Sequence, residues 1–217
     1  MAYMREIVLI SDPQVVSIPI EENEEPLIDI RGRLRADDRL ADPEGAFALL
    51  RQGLVERLEQ AQAQLPSGYR LLVVEGYRPL AAQRKIFEEY SAFLRETFPG
   101  ISPDELREAA SRYVSPVEVA PHTAGAAVDL TLCTEDGAEV DMGTAVNATP
   151  EQSNGACYTA APGLSAEARH HRKLLGAVLE HAGLVNYPTE WWHWSYGDRY
   201  WAMVTRAPAA HYGPRQG

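Results

Sequence analysis

Apolar positions along this 217-residue chain switch between a short and a long period, and the switches predict its elements. Apolar runs at residues 5–10 and 27–32 suggest short strands, with Pro13 and Pro26 punctuating the stretch between them. Ala46, Leu49, Leu50, Leu54, Leu58 and Ala61 recur at steps of three and four. That spacing predicts a helix over 46–64, started by Asp42 or Pro43 and broken by Pro66-Ser67-Gly68. Leu71-Leu72-Val73-Val74 is a continuous apolar run of strand length, as a strand buried on both faces requires. Residues 80–97 predict a second helix, stopped by Pro99-Gly100. Ser102-Pro103-Asp104-Glu105 places a cap, a proline and an acid where a helix over 103–112 would start. Residues 126–133 predict a strand, Asp136-Gly137 a turn and 139–141 its return strand. Residues 143–164, rich in Gly, Ala, Asn and Pro, predict a long loop of the kind that carries function. Ser165 caps a helix to about residue 182, Gly183 closes it, and 187–196 form the last strand. Strands and helices mix without βαβ alternation, so the fold class is α+β. One domain over 1–217 is expected, with N-terminal strands and loop over 1–40 and a tail over 205–217.

Charge narrows the partners. With 31 acidic and 20 basic side chains the net charge is −11, which argues against nucleic acid and against an anionic membrane surface. The run Glu21-Glu22-Asn23-Glu24-Glu25 reads as a solvated loop. Apolar residues make up 45% of the chain, enough for a core, but no run approaches a membrane span. Ile7-Val8-Leu9-Ile10 is too short for a signal-peptide core, so a cytoplasmic protein is expected. Cys133 and Cys157 are then free thiols, too few for a cysteine zinc site. Self-association is left open.

Three segments concentrate chemistry: Glu75-Gly76-Tyr77-Arg78-Pro79, His122 to Asp129, and Glu190-Trp191-Trp192-His193-Trp194. Singly, each has a plain reading as a surface turn, a polar loop or an aromatic core. Asp129 resists that reading, because it interrupts an apolar strand and a buried carboxylate needs a partner. Two imidazoles and one carboxylate are the ligand set of a catalytic zinc site that leaves its fourth position to water. Glu190 is then a candidate general base and Arg78 a fixed positive charge for an oxyanion. The His-x6-Asp spacing alone is unspecific and leaves a metal-free polar cluster equally open. His170, His171, His181 and His211 read as surface, capping or tail residues.

Taken together, Gly76-Tyr77-Arg78-Pro79, His122-x-x-Gly-x-Ala-Val-Asp129 and Glu190-Trp191-Trp192-His193 resemble the D-alanyl-D-alanine dipeptidase family, the VanX-type zinc D,D-peptidases. The resemblance runs from about Glu75 to Trp201 and takes in Asp141-Met142-Gly143-Thr144. It implies the hedgehog/D,D-peptidase fold, a central antiparallel sheet with flanking helices. It implies one zinc ion on His122, Asp129 and His193, with Glu190 as base and Arg78 stabilising the transition state. The substrate it implies is a small dipeptide, D-Ala-D-Ala, with Tyr77, Asn147 and Trp191 as candidate substrate contacts. Two positions depart from the family pattern. Ala120 stands where the resistance-type enzymes have serine, and Asn147 where an aspartate receives the substrate's ammonium. Glu151 lies close enough in sequence to substitute. These departures motivate an alternative, a related D,D-carboxypeptidase or amidase on a longer or N-blocked peptide. A zinc-stabilised binding domain without catalysis has no need of both Glu190 and Arg78. In a regular strand Glu190 and His193 would face opposite sides. A shared site therefore predicts a bulge or kink at Trp191-Trp192.

Overall fold

The apolar runs at 71–74 and 126–133 become the two central strands of a five-stranded sheet in the computed structural model, which describes residues 7–215. Strands in chain order are β1 (Leu27–Asp29), β2 (Arg35–Ala36), β3 (Leu49–Arg51), β4 (Tyr69–Glu75), β5 (Ala127–Thr134), β6 (Val185–Asn186) and β7 (His193–Ser195). The helices are α1 (Pro13–Val16), α2 (Gln52–Gln64), α3 (Leu80–Thr97), α4 (Pro103–Ala110), α5 (Pro150–Ser153), α6 (Ala166–His181) and α7 (Arg199–Thr205). The main sheet has the order β2-β4-β5-β7-β6, antiparallel except for the two-residue edge strand β2, which runs parallel to β4. The fold class is α+β, as expected. β1 and β3 form a separate two-stranded sheet.

β4 and β5 have neighbours on both sides and are buried along most of their length, which is why their sequences read as continuous apolar runs. Val128, Leu130 and Leu132 of β5 join Leu54 and Leu58 of α2, Leu175 and Leu179 of α6, and Trp191, Trp192 and Trp194 in the main core. Asp129 alternates onto the other face. There α3 and α4 pack together through Tyr90, Leu94, Leu106 and Ala110.

α3 spans the expected 80–97, and the cap at Ser102 is a full capping box with Glu105 that opens α4. The expected helix 46–64 is instead a single 3-10 turn (Ala46–Ala48), then β3, then α2. Asp42 accepts hydrogen bonds from the backbone of Ala46 and Phe47, and β3 pairs with β1, so helical spacing of apolar residues loses to a sheet edge. Of the expected strand 5–10, Arg5 and Glu6 lie outside the described residues. Ile7–Ile10 is not a strand but packs into a small cluster with Val15, Tyr187 and Tyr200. The run at 27–32 keeps only β1. The return strand at 139–141 reduces to one bridge, Cys133 to Glu139. Within 143–164 the loop contains α5, and Arg172 of α6 clamps it by donating to the carbonyls of Met142, Ala156 and Tyr158. The segment 206–215 is packed rather than loose, with Tyr212 buried and donating to Glu25 at 2.7 Å.

Candidate active site

Register brings the chemistry together. Asp129 sits opposite Glu75 of β4 and His193 of β7, so three neighbouring strands carry a carboxylate, a carboxylate and an imidazole in one row. A register shift between Val73 and Glu75 brings Glu75 into that row. His122 arrives from a 3-10 turn, Pro121–Ala124, ended by Gly125 at φ 65°, a left-handed position suited to glycine. The turn is tied to the Gly-Tyr-Arg-Pro segment twice: His122 Nδ1 donates to the Gly76 carbonyl at 2.7 Å, and Arg78 N donates to the His122 carbonyl at 3.1 Å.

A carbonyl only accepts, so Nδ1 of His122 carries the proton and Nε2 presents its lone pair. That Nε2 lies 3.2 Å from His193 Nδ1 and 3.3 Å from Asp129 Oδ1, and His193 Nδ1 lies 2.9 Å from the same oxygen. Donor atoms about 2.0–2.1 Å from a tetrahedral zinc stand roughly 3.3 Å apart, so the three side chains fit one ion without rearrangement of their backbones. All three are buried. Burial pushes the Asp129 carboxyl up, but the two imidazoles outweigh it and hold the group below its ordinary range. Burial pushes His122 down, and the Asp129 carboxylate overcomes that and raises it.

Glu190 is buried, with Oε2 3.8 Å from His193 Nδ1. Burial first, and the Asp129 charge second, raise its pKa well above the ordinary carboxylate value. Arg78 is held by Glu75 through Nε at 2.7 Å and Nη2 at 2.5 Å, and by Gln83 through Nη1 at 2.8 Å. Those bonds engage three of the guanidinium's five N–H groups and leave two for a ligand. Burial opposes its charge, but Glu75 overcomes that and keeps the guanidinium cationic.

His122, Asp129, His193, Glu190, Arg78 and Asn147 line one cavity of about 450 Å³, within the range of small-molecule sites. The kink expected at Trp191-Trp192 is present: β6 stops at Asn186, β7 starts at His193, and the chain turns between them. The turn lets Glu190 and His193 share a face. The long strand expected over 187–196 is therefore reduced to His193–Ser195.

The sequence profile of the D-ala-D-ala dipeptidase family, Peptidase M15, matches residues 36–210. The chain belongs to the D-Ala-D-Ala dipeptidase family. Among the family's members, a D-alanyl-D-alanine dipeptidase of Synechocystis sp. is 29% identical over 86% of this chain and 88% of its own. One of Enterococcus faecium is 31% identical over 69% of this chain and 71% of its own. A crystal structure of the vancomycin resistance D,D-pentapeptidase VanY, a mutant in complex with Zn(II), aligns over 84% of this chain and 90% of that one, at 16% identity and a TM-score of 0.42.

Within this dipeptidase-family site, two sequence expectations fall away from the cavity. Trp191 turns its ring to the other side, where Nε1 donates to Thr144 at 2.8 Å and the ring packs edge-on to Trp192. It lines a separate cleft of about 470 Å³. Tyr77 follows the Glu75–Gly76 pair, its backbone N bound to the Leu49 carbonyl at 2.7 Å, and does not line the cavity. Asn147 and Ala120 do line it. Glu151 does not, and its carboxylate accepts from Tyr90 at 2.8 Å. His170, His171, His181 and His211 also lie off the cavity lining.

The sequence reading missed Gln83, Tyr113 and Ser115, which form the wall beside Arg78 and Asn147. Gln83 is fully buried, accepting from Arg78 and donating to the Ser115 carbonyl at 2.7 Å. Its signal was present: a glutamine at the head of the stripe Ile86, Tyr90 and Leu94, where an apolar residue was due.

Proposed function

We propose that this chain is a zinc-dependent dipeptidase that hydrolyses D-Ala-D-Ala or a similar small D-amino-acid dipeptide. The observation that carries the reading is the convergence of a two-imidazole, one-carboxylate donor set with Glu190 and Arg78 around one cavity. In this reading His122, Asp129 and His193 hold one zinc ion. When bound there, zinc supplies Lewis acidity and lowers the pKa of a water to about 7. Glu190 takes a proton from the attacking water and returns it to the leaving amine. Its raised pKa brings it toward the working pH, where a general base is most effective. Arg78, fixed by Glu75 and Gln83, directs its two free N–H groups at the carbonyl oxygen as negative charge develops there. Asn147 contacts the substrate's amine end. Among the described residues no helix is long and apolar enough to cross a membrane. Cys133 and Cys157 are both free, which supports placing the enzyme in a reducing cytoplasm.

One observation favours the second reading, a D,D-carboxypeptidase or amidase on a longer or N-blocked peptide. The carboxylates lining the cavity are Glu75, Asp129 and Glu190, which serve Arg78, the imidazoles and the base role. Asn147 offers an ammonium only a neutral carbonyl. Release of D-alanine from D-Ala-D-Ala, with L-Ala-L-Ala and N-acetyl-D-Ala-D-Ala in parallel, separates the two. Cleavage confined to free D-Ala-D-Ala supports the dipeptidase. Cleavage of the acetylated compound in its place supports the blocked-substrate enzyme.

A further inference from the structure

We infer that Asn186 is a positioning residue for this reaction, clamping the turn that carries both the base and one metal ligand; the inference rests on the functional reading above. Its side-chain Nδ2 donates to the carbonyl of Glu190 at 2.9 Å and to the carbonyl of His193 at 3.0 Å. Its Oδ1 accepts from the Thr159 hydroxyl at 2.5 Å. The amide orientation is forced, because two carbonyls require the NH₂ end and leave the oxygen facing a hydroxyl.

The two carbonyls belong to the very residues whose side chains must meet. Glu190 and His193 are three apart, and an extended strand would send them to opposite faces. Local backbone bonds close the turn: Glu190 N donates to Tyr187, His193 N to Glu190 at 3.3 Å, and Tyr187 N to His193. At 3.3 Å the His193–Glu190 bond is the longest of these, so the Asn186 amide supplies the firmer link between the two residues. Thr159 is fixed in turn, its backbone N donating to the Pro188 carbonyl at 3.0 Å. The long loop therefore reaches this turn through the Thr159 hydroxyl as well as through the backbone bonds of Thr159 N to Pro188 and of Trp191 N to Cys157. Asn186 does not itself line the cavity and lines the cleft behind the turn.

Asn186→Asp tests the clamp, since it keeps size, shape and the acceptor for Thr159 but removes both donors. Partners one step behind metal ligands typically change metal affinity or activity by about 10- to 100-fold. The expected result is a loss of zinc affinity of that order, measured by titrating metal-free protein with zinc. A comparable fall in kcat on D-Ala-D-Ala is expected, with KM within about twofold. Asn186→Leu, which removes the donors without adding charge, should show the same losses, and wild-type zinc affinity and kcat in either variant would overturn the proposal. If Asn186→Asp does not fold, Thr159→Val reads the same clamp, with weaker zinc binding expected and unchanged binding overturning it. The zinc titration needs no substrate, so it decides the clamp even if D-Ala-D-Ala is not cleaved.

Discussion

Asp129 is where burial and charge conflict most sharply: a carboxylate inside an apolar strand, kept ionised by two imidazoles. That conflict made the candidate metal site legible, because nothing in a core explains Asp between Val128 and Leu130. The base is a different case. Glu190 is buried beside a second carboxylate and raised in pKa, a state that costs stability and that the proposed base role would use. Glu190→Gln should lower kcat by about 10²–10⁴-fold while zinc content stays at that of wild type. Steady-state kinetics beside metal analysis checks this, and retained turnover would remove Glu190 from the base role. Arg78→Ala should lower kcat by about 10²–10³-fold with little change in KM, because in the proposed reaction its free N–H groups act where charge develops. Equal losses in binding and turnover would contradict that. Asn186 was not legible, since its partners are backbone carbonyls with no signature in sequence. Tyr77 and Trp191 lie off the lining of this cavity, because adjacency in sequence to a candidate catalytic residue does not decide which side of a turn a ring takes.

Among the elements, the best-read ones were those with local determinants. α3 and α4 owe their limits to Pro79, Phe98-Pro99-Gly100 and the Ser102 capping box, all visible in sequence. The segment 46–64 misled because β3 is made by its partner β1 and by the Gly76 segment, which is tertiary information. Gly76 shows how tightly those pieces meet. A Cβ there would stand 2.5 Å from the Leu49 carbonyl oxygen and 3.0 Å from that of Phe47. Its N–H donates to Phe47, and its carbonyl fixes the His122 ring. Gly76→Ala should therefore destabilise the protein by about 1–3 kcal/mol and weaken zinc binding as well. Thermal melts with a zinc titration check both. A destabilised variant with normal zinc affinity would show that the carbonyl is not needed to orient His122.

For the molecule as a whole, the pH dependence of stability follows from the same groups. In metal-free protein, burial raises Glu190 and Asp198. A raised carboxyl favours folding while protonated, so its contribution is full below about pH 4 and is lost as pH rises through the folded value. His122 is raised as well, and its contribution is full below about 6.5 and lost above. Asp129 is depressed and acts oppositely, its contribution present above about 3.9 and lost only in acid. The melting temperature of the metal-free protein should thus fall as pH rises above about 4, and further above about 6.5, and Glu190→Gln should flatten that decline. An unchanged slope in the variant would assign the decline to other groups. The central claim, one metal on His122, Asp129 and His193 driving peptide hydrolysis, is tested most directly by adding zinc stepwise to metal-free protein while following D-alanine release. The account predicts no release without metal, a linear rise and a plateau at one zinc per chain, with no rise in His122→Ala. Full activity in metal-free protein, or a plateau reached equally by His122→Ala, would contradict it.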